Sequence, residues 1–397
     1  MFIFAALFDA VGLGLIGGAI APFAGVLARR LGATDVQLAL MTSAPFLGFF
    51  AALLLNRLAY RMRWGRLLTI VRVLGYMGLL ALLARRTPTI FVLVIGWAMF
   101  AAAFARPLWG AMLKVNVGEK SRPGVLQWLR MLPVVIAPPV AWVAGKMLDS
   151  PDEIGRIKLI IPAAGLGAIV ASMLYFFVPK SEGEQAHQDA GAPGLLGEWK
   201  LLMRHRELRL FLGVFFIGTL AEKIVLPITP IYFADILALD YATLAVIMGI
   251  VGPIMGLLGY AFWGWRLRSV SPLKVLTICM LLKVARPVLW ALAAGREDAV
   301  MFVLIGEAVY RLMFAGIEAG ALLAVLSMCG KDDAPLCTGL HYLFIGVRGL
   351  LGPVIGLLLY RVMPIPMIYW TVAGLVLVGA LALVWYRRRA PAISPGD

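Results

Sequence analysis

The chain has 397 residues, 62% of them hydrophobic and only 14% charged, with a formal net charge of +15. Soluble domains carry about 25% charged residues and less than half apolar ones, so this composition excludes a soluble globular protein and describes one built into a membrane. In that setting the positive charge belongs to basic loops rather than to a nucleic-acid surface. Cys279, Cys329 and Cys337 show no CxxC pair and no metal spacing with the histidines, so they read as reduced thiols, with no metal or cofactor expected.

Apolar stretches of spanning length occur at about 2–27, 36–56, 67–84, 89–113, 124–148, 157–178, 208–233, 241–264, 273–294, 298–327, 336–361 and 365–386. The first contains Asp9 and lacks a basic leader, which predicts a retained helix rather than a cleaved signal. Six spans lie on each side of a polar stretch, "PKSEGEQAHQDAGAPGLLGEWKLLMRHRELR", whose first part has a flexible composition. Its second part, 195–209, reads as an amphipathic helix lying on the membrane surface. The expected organisation is an all-α membrane protein of twelve transmembrane helices: a six-helix bundle over 1–179, a cytoplasmic linker over 180–207, a second six-helix bundle over 208–389, and a cytoplasmic tail over 390–397. With the N-terminus inside, the inner loops hold 19 Lys and Arg and the outer loops 9, so both termini are expected in the cytoplasm.

The two halves repeat. At an offset of 208, Pro22 falls on Pro230, Pro45 on Pro253, Gly48 on Gly256 and Thr69 on Thr277. The offset then grows: Gly96 meets Gly306 and Gly110 meets Gly320 at 210, and Pro139 meets Pro353 at 214. Ordered matches with a slowly growing offset imply two parallel bundles related by an axis along the membrane normal.

At this point the sequence resembles the major facilitator superfamily. The opening "FDAVGLGLIGGAIAPF" (8–23) looks like that family's first helix, and "NRLAYRMRWGR" (56–66) is similar to its loop between helices 2 and 3. Arg61, Gly65 and Arg66 fit the signature of that loop as a conformational switch, while Asn56 and Tyr60 stand where it has glycine and aspartate. The antiporter signature of helix 5 is absent from "APPVAW" (137–142). The resemblance implies a secondary active transporter that moves a small-molecule substrate by alternating access, multi-pass in the inner (plasma) membrane, in contact with lipids and working as a monomer. No enzyme is expected: the sequence has no P-loop and no nucleophile–base constellation.

Twelve ionisable residues sit at membrane depth: Arg72, Arg106, Arg130, Lys223, Lys283, Arg286, Arg311 and Arg348, with Asp9, Glu222, Glu307 and Glu318. Each costs about 2.5–3.5 kcal/mol at a helix centre, so each is expected to face a cavity or a partner. Glu307 and Arg311 are one turn apart and can pair within their helix. Glu318, two turns beyond Arg311 on the same stripe, has no local partner. The expected proton-coupling acids are Glu318, Glu222 and Asp9, in that order, with Glu307 behind them. Cations exceed acids, and arginine's planar fork suits carboxylate and phosphate. Arg311, Arg286, Arg348, Lys283, His341 and Arg106 are therefore the expected substrate-binding residues, for an anionic or zwitterionic solute. Arg72 and Arg130 lie close enough to an inner end to snorkel, and Arg106 has Asp9 as an alternative salt-bridge partner. A multidrug or sugar efflux pump, a lipid or lysolipid flipping protein, and a non-transporting assembly factor remain as alternatives.

Overall fold

A computed structural model describes residues 1–59, 61–84, 87–118, 121–150, 153–181, 184–185, 206–328 and 334–389. Most of the linker, residues 195–205 of the amphipathic stretch expected at 195–209, and the 390–397 tail lie outside the described residues. The described chain is helical: α1 (Phe2–Ala19), α2 (Ala24–Arg30), α3 (Asp35–Ala59), α4 (Trp64–Leu80), α5 (Pro88–Phe104), α6 (Arg106–Asn116), α7 (Arg122–Leu148) and α8 (Glu153–Met173) make up the first half. The second half holds α9 (Arg206–Ile224), α10 (Ile228–Ile231), α11 (Tyr241–Leu244), α12 (Gly252–Arg266), α13 (Pro272–Leu282), α14 (Ala285–Ala293), α15 (Ala299–Ser327), α16 (Ala334–Tyr360) and α17 (Ile365–Arg389). Among the described residues, 11 stretches are long and apolar enough to cross a membrane, and Asp35–Ala51 is a shorter apolar helix where the second span is expected.

Proline divides several of the expected spans into shorter helices, as three of them show. α1 stops at Ala19, shortly before Pro22; α5 gives way to α6 at Arg106-Pro107; and α13 ends at Leu282, ahead of Pro287. A proline has no N–H to return to the carbonyl four residues earlier, and it restricts the residue before it. At the third break the Lys283 carbonyl, deprived of a bond from Pro287, accepts from the Arg286 amide at 3.2 Å. Pro88 opens α5 instead of breaking it, because it sits behind Thr87, whose hydroxyl accepts the Ile90 amide at 3.3 Å. Cys279 is free and buried, whereas Cys337 is disulfide-bonded, against the expectation of a reduced thiol.

The chain forms two compact units. The first holds Met1–Ala192 with Ala238–Ile250, and the second holds Pro193–Leu237 with Val251–Asp397. In the first, α1 packs along α7 and α8, α3 along α5, and α4 against both α5 and α8. In the second, α9 packs along α16 and α17, α12 along α15, and α13 against both α15 and α17. Span for span this is the same scheme, so the repeat read from prolines and glycines is also a repeat of packing partners. The Ala238–Ile250 segment is tied into the first unit by polar contacts. Asp149 accepts the amides of Tyr241 and Ala242 at 2.8 and 2.7 Å, and Arg30 donates to the Leu239 carbonyl at 2.6 Å. Asp240 accepts the Thr243 amide at 2.7 Å, and its hydrogen bonds with Thr243 hold its carboxyl below the ordinary carboxylate value.

Close approach of helices needs glycine at a few positions. A Cβ at Gly18 of α1 would lie 2.7 Å from the Val140 Cβ of α7, and one at Gly352 of α16 would lie 2.6 Å from the Lys223 carbonyl carbon of α9. Where the opposing atom is backbone, nothing can turn aside. Gly352→Ala is therefore expected to lose about 1–3 kcal/mol, read as a lowered melting temperature of the purified protein in detergent. Gly374→Ala, with nothing within 4 Å of the added carbon, is the matched control expected to leave it unmoved.

Candidate functional site

Each unit buries a charge network. In the first, Asp9 on α1 is 2% exposed and pairs with Arg72 on α4, itself 5% exposed. Ser172 of α8 donates to one Asp9 oxygen at 3.3 Å and the Tyr175 hydroxyl to the other at 3.2 Å. Trp109 Nε1 donates to that hydroxyl at 2.8 Å, so an indole on α6 fixes the phenol that fixes the carboxylate. Arg72 therefore does not snorkel. Arg106, the alternative partner for Asp9, is exposed, with its guanidinium 5.6 Å from the centre of the Phe49 ring.

The loop resembling the superfamily signature lies at one end of this network. Arg61 is exposed, Gly65 packs against the Tyr175 carbonyl, and Arg66 lies 5.2 Å from the Phe176 ring centre. The acid that this loop lacks is supplied from outside it. Glu184, 4% exposed, accepts the Trp64 amide at 2.8 Å and so caps α4. Nothing local in the sequence marks Glu184, because its partner is 120 residues away.

The second unit holds the larger network. Glu222 on α9 makes an ion pair with Lys283, which is 1% exposed, and lies 3.9 Å from the Lys223 ammonium. Although adjacent in sequence, Glu222 and Lys223 thus converge through their flexible side chains. Glu307 on α15 is fully buried and shared: Arg311 Nε donates to one oxygen at 2.6 Å, and Arg286 Nη2 lies 3.3 Å from the other. Arg286 is also sandwiched, with its guanidinium 4.1 Å from the Trp290 ring centre and 4.0 Å from that of Tyr310. Two rings and a carboxylate leave little of Arg286 to meet a solute. Arg311 keeps 37% of its side chain exposed. The proline break between α13 and α14 gives Lys283 and Arg286 separate acids, Glu222 and Glu307. Glu222, Lys283 and Arg286 border a small cavity, lined also by Val225, Pro287, Tyr310 and Tyr369, with room for little more than a water molecule.

Arg348 on α16 stands differently. It is 6% exposed, its Nη1 donates to Thr219 of α9, and its guanidinium lies 5.1 Å from the Phe215 ring centre. His341, 6% exposed, stacks on the same Phe215 ring with centres 6.1 Å apart. Glu318 makes no ion pair among the described residues: it is exposed and takes a hydrogen bond from the Tyr260 hydroxyl of α12. Within the second unit the structure thus brings together Glu222, Glu307, Lys283, Arg286 and Arg311; Asp9 and Arg106 belong to the first unit. Among the described residues no cluster of three or more His, Cys, Asp or Glu side chains has the arrangement of a metal site.

The family model described as "MFS/sugar transport protein" matches residues 125–331, more than half of the chain. The chain belongs to this family. It is a major facilitator superfamily transporter, and its two similarly packed units are that fold. Among solved structures it is similar to a point mutant of the nucleoside transporter NupG, with a TM-score of 0.76 at 14% identity over 97% of this chain and 99% of that one. It is also similar to a D-xylose–proton symporter, with a TM-score of 0.71 at 12% identity over 100% and 98% of the two chains. A third likeness is to the xylose transporter XylE from E. coli in a partially occluded inward-open conformation, with a TM-score of 0.69 at 13% identity over 98% of each chain. At these identities the likeness is one of fold. No curated protein sequence matches the chain.

Glu307 is fully buried and balances two part-buried guanidinium groups, so Glu307→Gln takes the shared acid from both. This transporter is expected to lose about 3–5 kcal/mol in that variant, seen as a large fall in melting temperature. Glu318→Gln, at an exposed position, is expected to stay within about 0.5 kcal/mol of the parent protein.

Proposed function

We propose that this transporter moves a small organic anion or zwitterion together with protons, by alternating access of its two units. The observation that carries this reading is the network of the second unit, where five cations, Lys223, Lys283, Arg286, Arg311 and Arg348, accompany two carboxylates, Glu222 and Glu307. Buried cations without enough acids are costly unless a mobile anion completes them. The proton is assigned to Glu222. Its carboxylate borders the water-sized cavity and is held by lysine, a flexible point charge that a change of conformation can withdraw. Glu307, clamped by two arginines, has the structural role, and Glu318 makes no ion pair among the described residues. The distribution of Lys and Arg supports a plasma-membrane protein with both termini in the cytoplasm.

A second reading, a polyhydroxylated solute, is favoured by Tyr310 and Tyr369, which line the small cavity beside Lys283, and by the similar structures, which carry a nucleoside or xylose in their names.

Proteoliposomes with a trapped pH indicator separate the two. Carboxylates are expected to drive proton movement across the membrane, while D-xylose and nucleosides do not. Proton movement with the neutral solutes alone establishes the second reading, and none with any solute removes proton coupling. Glu222→Gln is expected to abolish accumulation driven by a pH gradient while leaving solute exchange at the parent rate within about twofold; gradient-driven accumulation in that variant would take the proton away from Glu222.

A further inference from the structure

Among the buried cations, Arg348 differs in what it lacks. Lys283 meets Glu222, and Arg286 and Arg311 meet Glu307. Arg348 makes no ion pair among the described residues. Its single hydrogen bond goes from Nη1 to the Thr219 hydroxyl, and Nε is buried without a partner.

The geometry of a guanidinium makes this pattern informative. Nε and Nη2 point their N–H bonds to the same side, and that edge is the fork that grips both oxygens of a carboxylate. Thr219 occupies the other side. Thr219 is itself fixed, because its hydroxyl also reaches the Phe215 carbonyl one turn back, at 2.5 Å. Phe215 supports the guanidinium from below at 5.1 Å. One turn beyond Arg348, Gly352 brings α16 against the Lys223 backbone, so the arginine is carried on a close helix contact and cannot drift from α9. Lys223, one turn beyond Thr219, adds a second positive charge near Arg348, and His341 stacks on the Phe215 ring. Hydrogen bond, ring and helix contact all hold one edge of Arg348 in place and leave the Nε of the bidentate edge buried without an acceptor.

We propose that the Nε/Nη2 edge of Arg348 binds the carboxylate of the transported solute, with Thr219 and Phe215 as positioning residues. The proposal rests on the reading of this protein as an organic-anion transporter and names the group that the anion presents. It also explains a buried cation that the fold leaves uncompensated: the compensating charge arrives with the solute. A site that is strained when empty is expected to be a stability liability, and this gives the proposal its clearest signature.

The test uses the full-length protein purified in detergent, with melting temperature as the readout and acetate, succinate and benzoate as probes. Acetamide and succinamide are the neutral counterparts, inorganic phosphate and phosphatidylglycerol the other oxyanions. In the parent protein at least one carboxylate is expected to raise the melting temperature, and its amide is not. Without ligand, Arg348→Gln is expected to melt at or above the parent temperature, since it removes an uncompensated buried charge, and to lose the carboxylate response. Arg348→Lys keeps the charge but not the fork, and is expected to bind the carboxylate at least about tenfold more weakly; it decides the matter if the glutamine variant cannot be purified. An equal carboxylate response in either variant overturns the proposal. So does a large loss of unliganded stability in Arg348→Gln, which would make the arginine structural. Stabilisation of the parent by phosphate alone, or by phosphatidylglycerol alone, overturns the assignment to a solute carboxylate. Failure here and failure of the broader reading are distinguishable. Proton movement driven by a neutral solute and indifferent to Arg348→Lys removes this site and leaves proton coupling standing. Carboxylate binding lost in Arg348→Lys, with no proton movement for any solute, keeps the site and removes the coupling.

Discussion

The cost of taking a charge out of water organises this transporter. At membrane depth each ionised side chain needs a partner or a wet surface, and nearly every buried ion has been given one. Asp9 collects an arginine, a serine and a tyrosine; Glu307 collects two arginines; Glu222 collects a lysine. These pairs join helices distant in the sequence, α1 to α4 and α9 to the end of α13, so helix packing and charge neutralisation support one another. A bundle packed in another register would leave ions stranded, and that penalty is steeper than the loss of any single apolar contact.

The repeat extends to this electrostatics. In the first unit an acid on the first span pairs with a cation on the third; in the second unit an acid on the seventh span pairs with a cation on the ninth. Yet the residues are not equivalent by alignment: at the offset of 208, Asp9 falls on Ile217. The shared feature is the proximity of two helices in a common packing scheme, on which each half has placed its pair at its own depth. The two networks also differ in content. The first is nearly neutral and rigid, with Trp109 holding Tyr175 and Tyr175 holding Asp9. The second carries surplus positive charge, a water-sized cavity and an Arg348 whose Nε is buried without a partner. The first network thus closes on itself, while the second leaves cations in excess of acids.

Arginine shows why composition alone does not assign roles. Arg286, Arg311 and Arg348 look alike in the sequence, each deep in an apolar helix. Stacking between Trp290 and Tyr310, together with Glu307, occupies Arg286; Glu307 takes one nitrogen of Arg311; Thr219 takes one nitrogen of Arg348. Guanidinium groups of equal charge thus end with different remaining capacity to bind. The same holds for acids: the one-turn spacing of Glu307 and Arg311 is a local relation and is readable in the chain, whereas the Arg286 contact that makes Glu307 a shared partner comes from another helix.

The sequence by itself determined the membrane class, the positions of the spans, the duplication and the Glu307–Arg311 pair. Each depends on hydropathy, spacing or short-range helix geometry, which a linear pattern encodes. Tertiary structure alone decided that Arg72 rather than Arg106 meets Asp9, that Glu222 meets Lys283, that Glu184 caps α4 from 120 residues away, and that Glu318 takes a hydrogen bond from Tyr260. The physical reason is that an ion's partner is chosen by which helices touch and at what height. That depends on small residues such as Gly18 and Gly352 and on proline breaks such as the one before Pro287, whose effect on distant side chains appears only once the bundle is packed.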